Sequence, residues 1–105
     1  MTDKVLVLST AASETEARKI AQELVERRLA ACVNIIPRIQ SIYRWEGKVE
    51  SAEEFLLLIK TTTGRTQDVQ ATIRELHSYE LPEFVVISMQ DGGADYLRWI
   101  AESVQ

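Results

Sequence analysis

With 105 residues, 46% of them hydrophobic, the chain is long enough for one domain, residues 1–105, and is too apolar to be disordered. Twelve basic and sixteen acidic residues give a net charge of −4, which argues against a nucleic-acid partner. No apolar run is long enough to span a membrane, the N-terminus lacks a signal-peptide core, and a single cysteine, Cys32, favours a reducing, cytoplasmic location.

The N-terminal part of the chain predicts a strand and then an amphipathic helix. Residues 5–8 are continuously apolar, which is typical of a strand covered on both faces. Ser13 and Glu16 then match a capping box, in which each side chain accepts a hydrogen bond from the other residue's amide. The apolar stripe of the helix follows at Ala17, Ile20, Ala21, Leu24 and Val25.

An unusually apolar β-hairpin follows. Residues 31–43 read as a strand that bulges or bends at Pro37 or lies locally at a sheet edge there, and Glu46-Gly47 forms the tip of residues 41–50. Tyr43 and Trp45 lie on one face of this strand, while Ile42 lies on the other. A domain this small cannot bury so much apolar hairpin surface, so we expect a second copy of the chain to cover it.

The C-terminal half predicts two strands and two helices. Residues 55–59 read as a central strand and residues 84–87 as a fourth strand. Between them, a helix carries Val69, Ile73 and Leu76 and ends at the segment 77–83. A turn at residues 91–93 precedes a short helix, whose apolar positions are Tyr96, Leu97, Ile100 and Val104.

The order β-α-β-β-α-β-α predicts an α+β fold, a ferredoxin-like βαββαβ sandwich with a long β2–β3 hairpin and a C-terminal helix. The fourth strand lies at a sheet edge in this topology. Its residues 84–87 are wholly apolar, and they include no charged residue that would prevent this edge from pairing with a strand of another chain. We therefore expect a closed homo-oligomer in which one subunit's strands complete its neighbour's sheet.

Metal binding is the chemistry that these residues best support. Neither a nucleophile–base pair nor a phosphate-binding loop is visible, so we expect no enzymatic activity. A thiolate, an imidazole and carboxylates suit copper or zinc if the fold brings them together, and the candidates are Cys32, His77, Glu80 and Glu83. Structural interpretations remain open: Cys32 as a small core residue, His77 as a hydrogen-bonding helix end, and both glutamates as solvated charges. We expect three aromatic side chains to lie at an interface or in the core: Tyr43, Trp45 and Trp99.

Four motifs together resemble the CutA divalent-cation tolerance proteins. They run in order along nearly the whole chain: residues 29–37, residues 41–48, residues 58–61, and His77-Ser78-Tyr79-Glu80-Leu81-Pro82-Glu83. The resemblance implies a ferredoxin-like homotrimer in the cytoplasm, linked to tolerance of copper and other divalent metals. His77 and Glu83 match the family's histidine and an acidic residue before its fourth strand, and Cys32 matches the cysteine of its Ala-Ala-Cys motif. These three residues are the metal ligands that we expect.

Two positions depart from this family pattern. The family motif usually reads His-Pro-Tyr-Glu, and Ser78 in place of proline gives the segment an extra amide to satisfy. Some members carry a metal-binding cysteine at the end of the first strand, where this chain has Ser9, a poorer ligand for a soft ion.

The leading hypothesis is therefore a trimer with weak metal binding in clefts between subunits. We expect these clefts to contain His77, Tyr79 and Glu83, together with Tyr43, Trp45 and Lys60. The alternative is a small-molecule or signalling sensor that binds an anionic or aromatic ligand in the same clefts through Lys60, Arg44 and the aromatics. A pure scaffold would bind neither.

Overall fold

The computed structural model, which describes residues 2–105, confirms the expected order of elements. The strands are β1 (Lys4–Ala11), β2 (Cys32–Trp45), β3 (Lys48–Thr62) and β4 (Val85–Ser88). The helices are α1 (Glu14–Glu26), α2 (Thr66–Leu76) and α3 (Ala94–Ser103), and a 3-10 turn at Thr63–Arg65 precedes α2. The four strands form one antiparallel sheet in the order β2-β3-β1-β4, so β4 lies at an edge as predicted.

The core lies between one face of the sheet and the helices α1 and α2. On β1 and β3, Val5 pairs with Thr61 and Val7 pairs with Ile59, and all four side chains are buried. The helices contribute the rest of this cluster, chiefly Ala17, Ile20, Leu24, Val69 and Ile73. The alternation that buries Val5 and Val7 leaves Leu6 and Leu8 on the opposite face.

Helix α3 lies against that opposite face. Lys60 is adjacent to buried Ile59 and therefore points away from the core, and its Nζ contacts the Tyr96 hydroxyl of α3 at 3.1 Å. Ile100 of α3 is fully buried, but it is not part of the cluster between the sheet and α1 and α2. No helix in residues 2–105 is long and apolar enough to cross a membrane.

The β2–β3 hairpin extends beyond the rest of the sheet as a two-stranded arm, residues 39–54. Pairing of β1 with β3 ends at Ala11 and Phe55, whereas β2 and β3 stay paired to Trp45 and Lys48. The longest dimension of the molecule is accordingly 44 Å, against 25 and 22 Å for the others. At the tip, Glu46 and Gly47 both have positive φ values, 49° and 80°, as a type I′ turn requires.

A bulge separates the arm from the body of the sheet. The β2–β3 register shifts between Ile36 and Ile39, which confirms the irregularity predicted at Pro37. Arg38 takes up the extra length in a left-handed conformation, with φ of 60°. Such a bulge bends and twists its strand, and so it sets the direction in which the arm leaves the sheet.

Candidate functional site

The candidate site is a cleft of about 1040 Å³ between the arm and the segment 77–84 that follows α2. The arm supplies the wall that contains Tyr43, Arg44, Trp45 and Glu54. The facing wall is formed by Ser78, Tyr79, Glu80, Leu81, Pro82, Glu83 and Phe84. Thr10, near the end of β1, and the edge residue Val85 also line the cleft. The cleft thus includes five residues predicted for the site: Tyr43, Trp45, Tyr79, Glu80 and Glu83.

His77 is buried beneath this cleft rather than exposed in it. It caps the C-terminus of α2, and its side chain is 0% exposed. Nδ1 accepts a hydrogen bond from the Tyr79 amide at 3.0 Å, so Nε2 carries the hydrogen that is donated to the Thr10 carbonyl at 2.6 Å. Both ring nitrogens are therefore engaged within the chain, and a metal ion would have to displace one of these bonds to bind His77.

Glu16 connects the start of α1 to the segment that follows His77. Its amide bonds to the Ser13 hydroxyl at 3.2 Å, as the capping box predicts, but its carboxylate does not bond to the Ser13 amide. Instead, Oε1 accepts from the Ala12 amide at 3.4 Å and lies 3.5 Å from His77 Nδ1. Oε2 accepts from the Ser78 amide at 3.1 Å, so the extra amide at Ser78 is satisfied.

Tyr79 extends this hydrogen-bond network to Glu54, for which the sequence predicted no role. The Tyr79 hydroxyl donates to Glu54 Oε2 at 2.7 Å, and Glu54 is only 7% exposed. Burial, and secondly the Glu54 carboxylate, raise the pKa of Tyr79 well above its usual value. A signal for Glu54 existed, because this acidic residue directly precedes the apolar run of β3.

Glu83 is the second carboxylate of the cleft. Its carbonyl oxygen accepts a hydrogen bond from the buried Ser9 hydroxyl at 2.8 Å, which fixes the backbone at this point. Burial raises the pKa of the Glu83 carboxyl, and the nearby charge of Glu54 raises it further. Glu54 and Glu83 thus place two mutually repelling carboxylates on one cleft. Carboxylate oxygens are ligands that suit hard divalent cations.

The remaining predicted site residues lie elsewhere in the chain. In the sheet, Cys32 pairs with Lys60, and Lys60 pairs in turn with Leu6 of β1. Leu6 is four residues, or about 13 Å, along β1 from Thr10, which lines the cleft. Cys32 and Lys60 are therefore not brought together with His77 or Glu83 within one chain. Trp99 is on α3, half-exposed beside the Tyr96 ring. Residues 2–105 contain no group of three or more His, Cys, Asp or Glu side chains arranged to hold a metal ion.

Comparisons of the sequence identify related proteins over almost the whole chain. Residues 5–103 match the family described as CutA1 divalent ion tolerance protein. The Divalent-cation tolerance protein CutA of Thermus thermophilus is 48% identical over 98 residues, which cover 93% of this chain and 95% of that protein. Human Protein CutA is 41% identical over 93 residues, 89% of this chain, but the match spans only 52% of the human protein.

Solved structures of related proteins share the fold. The Divalent cation tolerance protein (Cut A1) from Thermus thermophilus matches with a TM-score of 0.95 and 46% identity, covering 97% of this chain and 99% of that one. The Periplasmic divalent cation tolerance protein CutA of Archaeoglobus fulgidus matches with a TM-score of 0.94 and 40% identity, over 97% and 99% of the two chains. The motifs, the sheet order and these comparisons agree, and the chain belongs to the CutA1 divalent ion tolerance protein family.

Proposed function

We propose that this protein binds divalent cations weakly in the cleft, through the carboxylates of Glu54 and Glu83, and that this binding underlies a role in divalent-cation tolerance. The observation that carries the proposal is that Glu54 and Glu83 share one partly enclosed cleft, where burial and mutual repulsion raise the pKa of Glu83. A divalent cation between two such carboxylates offsets their mutual repulsion.

The contacts favour oxygen ligands over the copper-type set of His77, Glu83 and Cys32. His77 already uses both ring nitrogens, and Cys32 lies at the far end of the sheet. We assign His77 a positioning role: it holds the Tyr79 amide, and the Tyr79 hydroxyl in turn holds Glu54. Because Cu²⁺ binds most oxygen and nitrogen sites more tightly than Mn²⁺, copper binding alone does not imply a thiolate or imidazole ligand.

Isothermal titration with Mn²⁺ and Cu²⁺ tests these assignments. We expect Glu83→Gln to weaken the binding of both ions about tenfold, since it removes one of two charged ligands. Cys32→Ser is expected to bind both ions like the wild type. Glu53→Gln is the matched control, because Glu53 neighbours Glu54 on β3 but does not line the cleft. Equal affinities in Glu83→Gln and Glu53→Gln would refute the carboxylate site.

We further propose that the functional form is a cytoplasmic, non-enzymatic homotrimer. An isolated two-stranded arm is marginally stable in water, yet this arm exposes Ile42 by 76% and Val49 by 67%. The edge strand β4 leaves Val85, Val86 and Ile87 between 44% and 46% exposed. Arm and edge therefore offer two separate apolar strand surfaces, as a closed ring of copies requires. In such a ring the cleft opens at the boundary between subunits.

A charge placed on the arm separates assembly from folding. Ile42 is 76% exposed in a single chain, so Ile42→Lys has little to disrupt there, but it places an ammonium group in the proposed contact. We expect this variant to sediment as a folded monomer. Val25→Lys is the control, because Val25 is also exposed (42%) but lies on α1, away from the arm and from β4. A trimeric Ile42→Lys protein, or a monomeric wild type, would refute the proposed contact.

A further inference from the structure

We infer that Glu16, in the first turn of α1, is a positioning residue for the proposed cation site. The inference rests on the proposed function, because the contacts of Glu16 lead to Glu54, one of the two proposed ligands. The side chain of Glu16 is only 15% exposed. The hydrogen bonds that connect it to Glu54 all lie within one chain, so they do not depend on what covers the arm or β4.

The carboxylate of Glu16 joins two parts of the chain that are distant in sequence. Oε1 accepts from the Ala12 amide at 3.4 Å, and Oε2 accepts from the Ser78 amide at 3.1 Å. An ionised carboxylate is an acceptor only, so it satisfies both amides at once. A glutamine side chain has one acceptor oxygen, and its NH₂ group would face one of these N–H groups. The position therefore favours a carboxylate over an amide of the same size.

From Ser78 the connection reaches Glu54 through the next residue, Tyr79. The Tyr79 amide donates to His77 Nδ1 at 3.0 Å, and the two rings pack with their centroids 4.6 Å apart. The Tyr79 hydroxyl donates to Glu54 Oε2 at 2.7 Å. Because the amides of Ser78 and Tyr79 are adjacent in the chain, release of the first loosens the second from His77. The hydroxyl that orients Glu54 is then no longer held in place.

The backbone at His77 allows this role of Glu16 to be separated from a general effect on stability. His77 has φ of −83° and ψ of 144°, the extended conformation that a residue before proline prefers. Ser78→Pro is therefore compatible with the conformation of His77. It removes the N–H group that Glu16 accepts, and its ring restricts the backbone at residue 78 instead. If Glu16 acts by holding this amide, Ser78→Pro should make the site insensitive to Glu16→Gln.

Amide hydrogen exchange at Tyr79, followed by NMR, and titration calorimetry with Mn²⁺ test the inference on the full-length protein. We expect Glu16→Gln to speed this exchange about tenfold, because a hydrogen bond to a charged group is lost beside it. The same variant should weaken Mn²⁺ binding about tenfold, since residues that orient a ligand affect the affinity of a metal site. Glu14→Gln is the matched control, because Glu14 lies in the same turn of α1 but pairs with Arg18. In a protein that carries Ser78→Pro, Glu16→Gln should change neither quantity.

The outcomes separate this inference from the proposed function. Equal changes in Glu16→Gln and Glu14→Gln, or an effect of Glu16→Gln that is the same with and without Ser78→Pro, overturn the role of Glu16. Faster exchange at Tyr79 with unchanged Mn²⁺ affinity also overturns it, because Glu16 would then hold the segment without orienting the site. A wild type that does not bind Mn²⁺ overturns the proposed function, whereas the exchange rates still decide whether Glu16 holds Tyr79 at His77. Circular dichroism of each variant verifies that it is folded.

Discussion

We expect the hydrogen bond from Tyr79 to Glu54 in the candidate site to stabilise the folded protein as well. Tyr79→Phe tests this directly. The substitution removes one hydroxyl group and leaves the ring. Glu54 then loses the donor 2.7 Å from Oε2, in a position where the residue is only 7% exposed. Hydrogen bonds to charged groups contribute about 1.5–3 kcal/mol. Since water in the cleft replaces part of this bond, we expect the free energy of unfolding to fall by about 1.5 kcal/mol, the low end of that range.

Urea unfolding at pH 7 measures this difference, with the protein concentration held constant because the stability of an oligomer depends on it. Tyr96→Phe is the matched control. Its hydroxyl contacts Lys60 Nζ at 3.1 Å, but the residue is 45% exposed, so we expect a loss below about 0.5 kcal/mol. If Tyr79→Phe and Tyr96→Phe lowered the free energy of unfolding equally, the hydrogen bond to buried Glu54 would be no more stabilising than an exposed one, and the reasoning would be refuted.

Three further predictions concern the helix end, the core and pH. Arg28 follows α1 with a φ of 59°, so Arg28→Gly should raise the free energy of unfolding by about 0.5 kcal/mol in urea titrations. Ile59 is fully buried, and Ile59→Ala should lower the free energy of unfolding by about 2–5 kcal/mol because it leaves a cavity in the core. Burial, and then Glu54, raise the pKa of Glu83, so its ionised form opposes folding at neutral pH. Glu83→Gln should therefore be more stable than the wild type at pH 7, and this gain should vanish as the pH falls below the ordinary carboxyl pKa.

Local sequence signals predicted most of the fold. The apolar alternation of β1 and β3, the stripe of α1 and the bulge beside Pro37 each depend on residues close together in the chain. Boundaries were less accurate: β1 runs to Ala11 rather than ending near residue 8, because it stays paired with β3 as far as Phe55. The polar residues that follow this apolar run, Ser9 and Thr10, are buried within the strand.

The site was harder to predict, because its contacts join residues distant in sequence. Glu16 matched a capping box, and no local pattern indicates that its carboxylate bonds to the amide of Ser78, 62 residues away. Likewise, the sequence left open whether His77 is a metal ligand or a hydrogen-bonding helix end, and no local pattern indicates that its Nε2 lies 2.6 Å from the carbonyl of Thr10 on β1. A motif thus identifies which residues matter, while the tertiary hydrogen bonds decide whether each binds a ligand or positions a neighbour.

Ser9 shows how one such position can change the chemistry of the cleft. A cysteine at this position would offer a thiolate, which favours a soft ion. In this chain the Ser9 hydroxyl is buried and donates to the Glu83 carbonyl oxygen at 2.8 Å. The position therefore anchors a carboxylate residue instead of supplying a ligand. With serine at this position and His77 bonded within the chain, the proposed cation binding rests on Glu54 and Glu83, and oxygen ligands select a cation by charge and size rather than by softness.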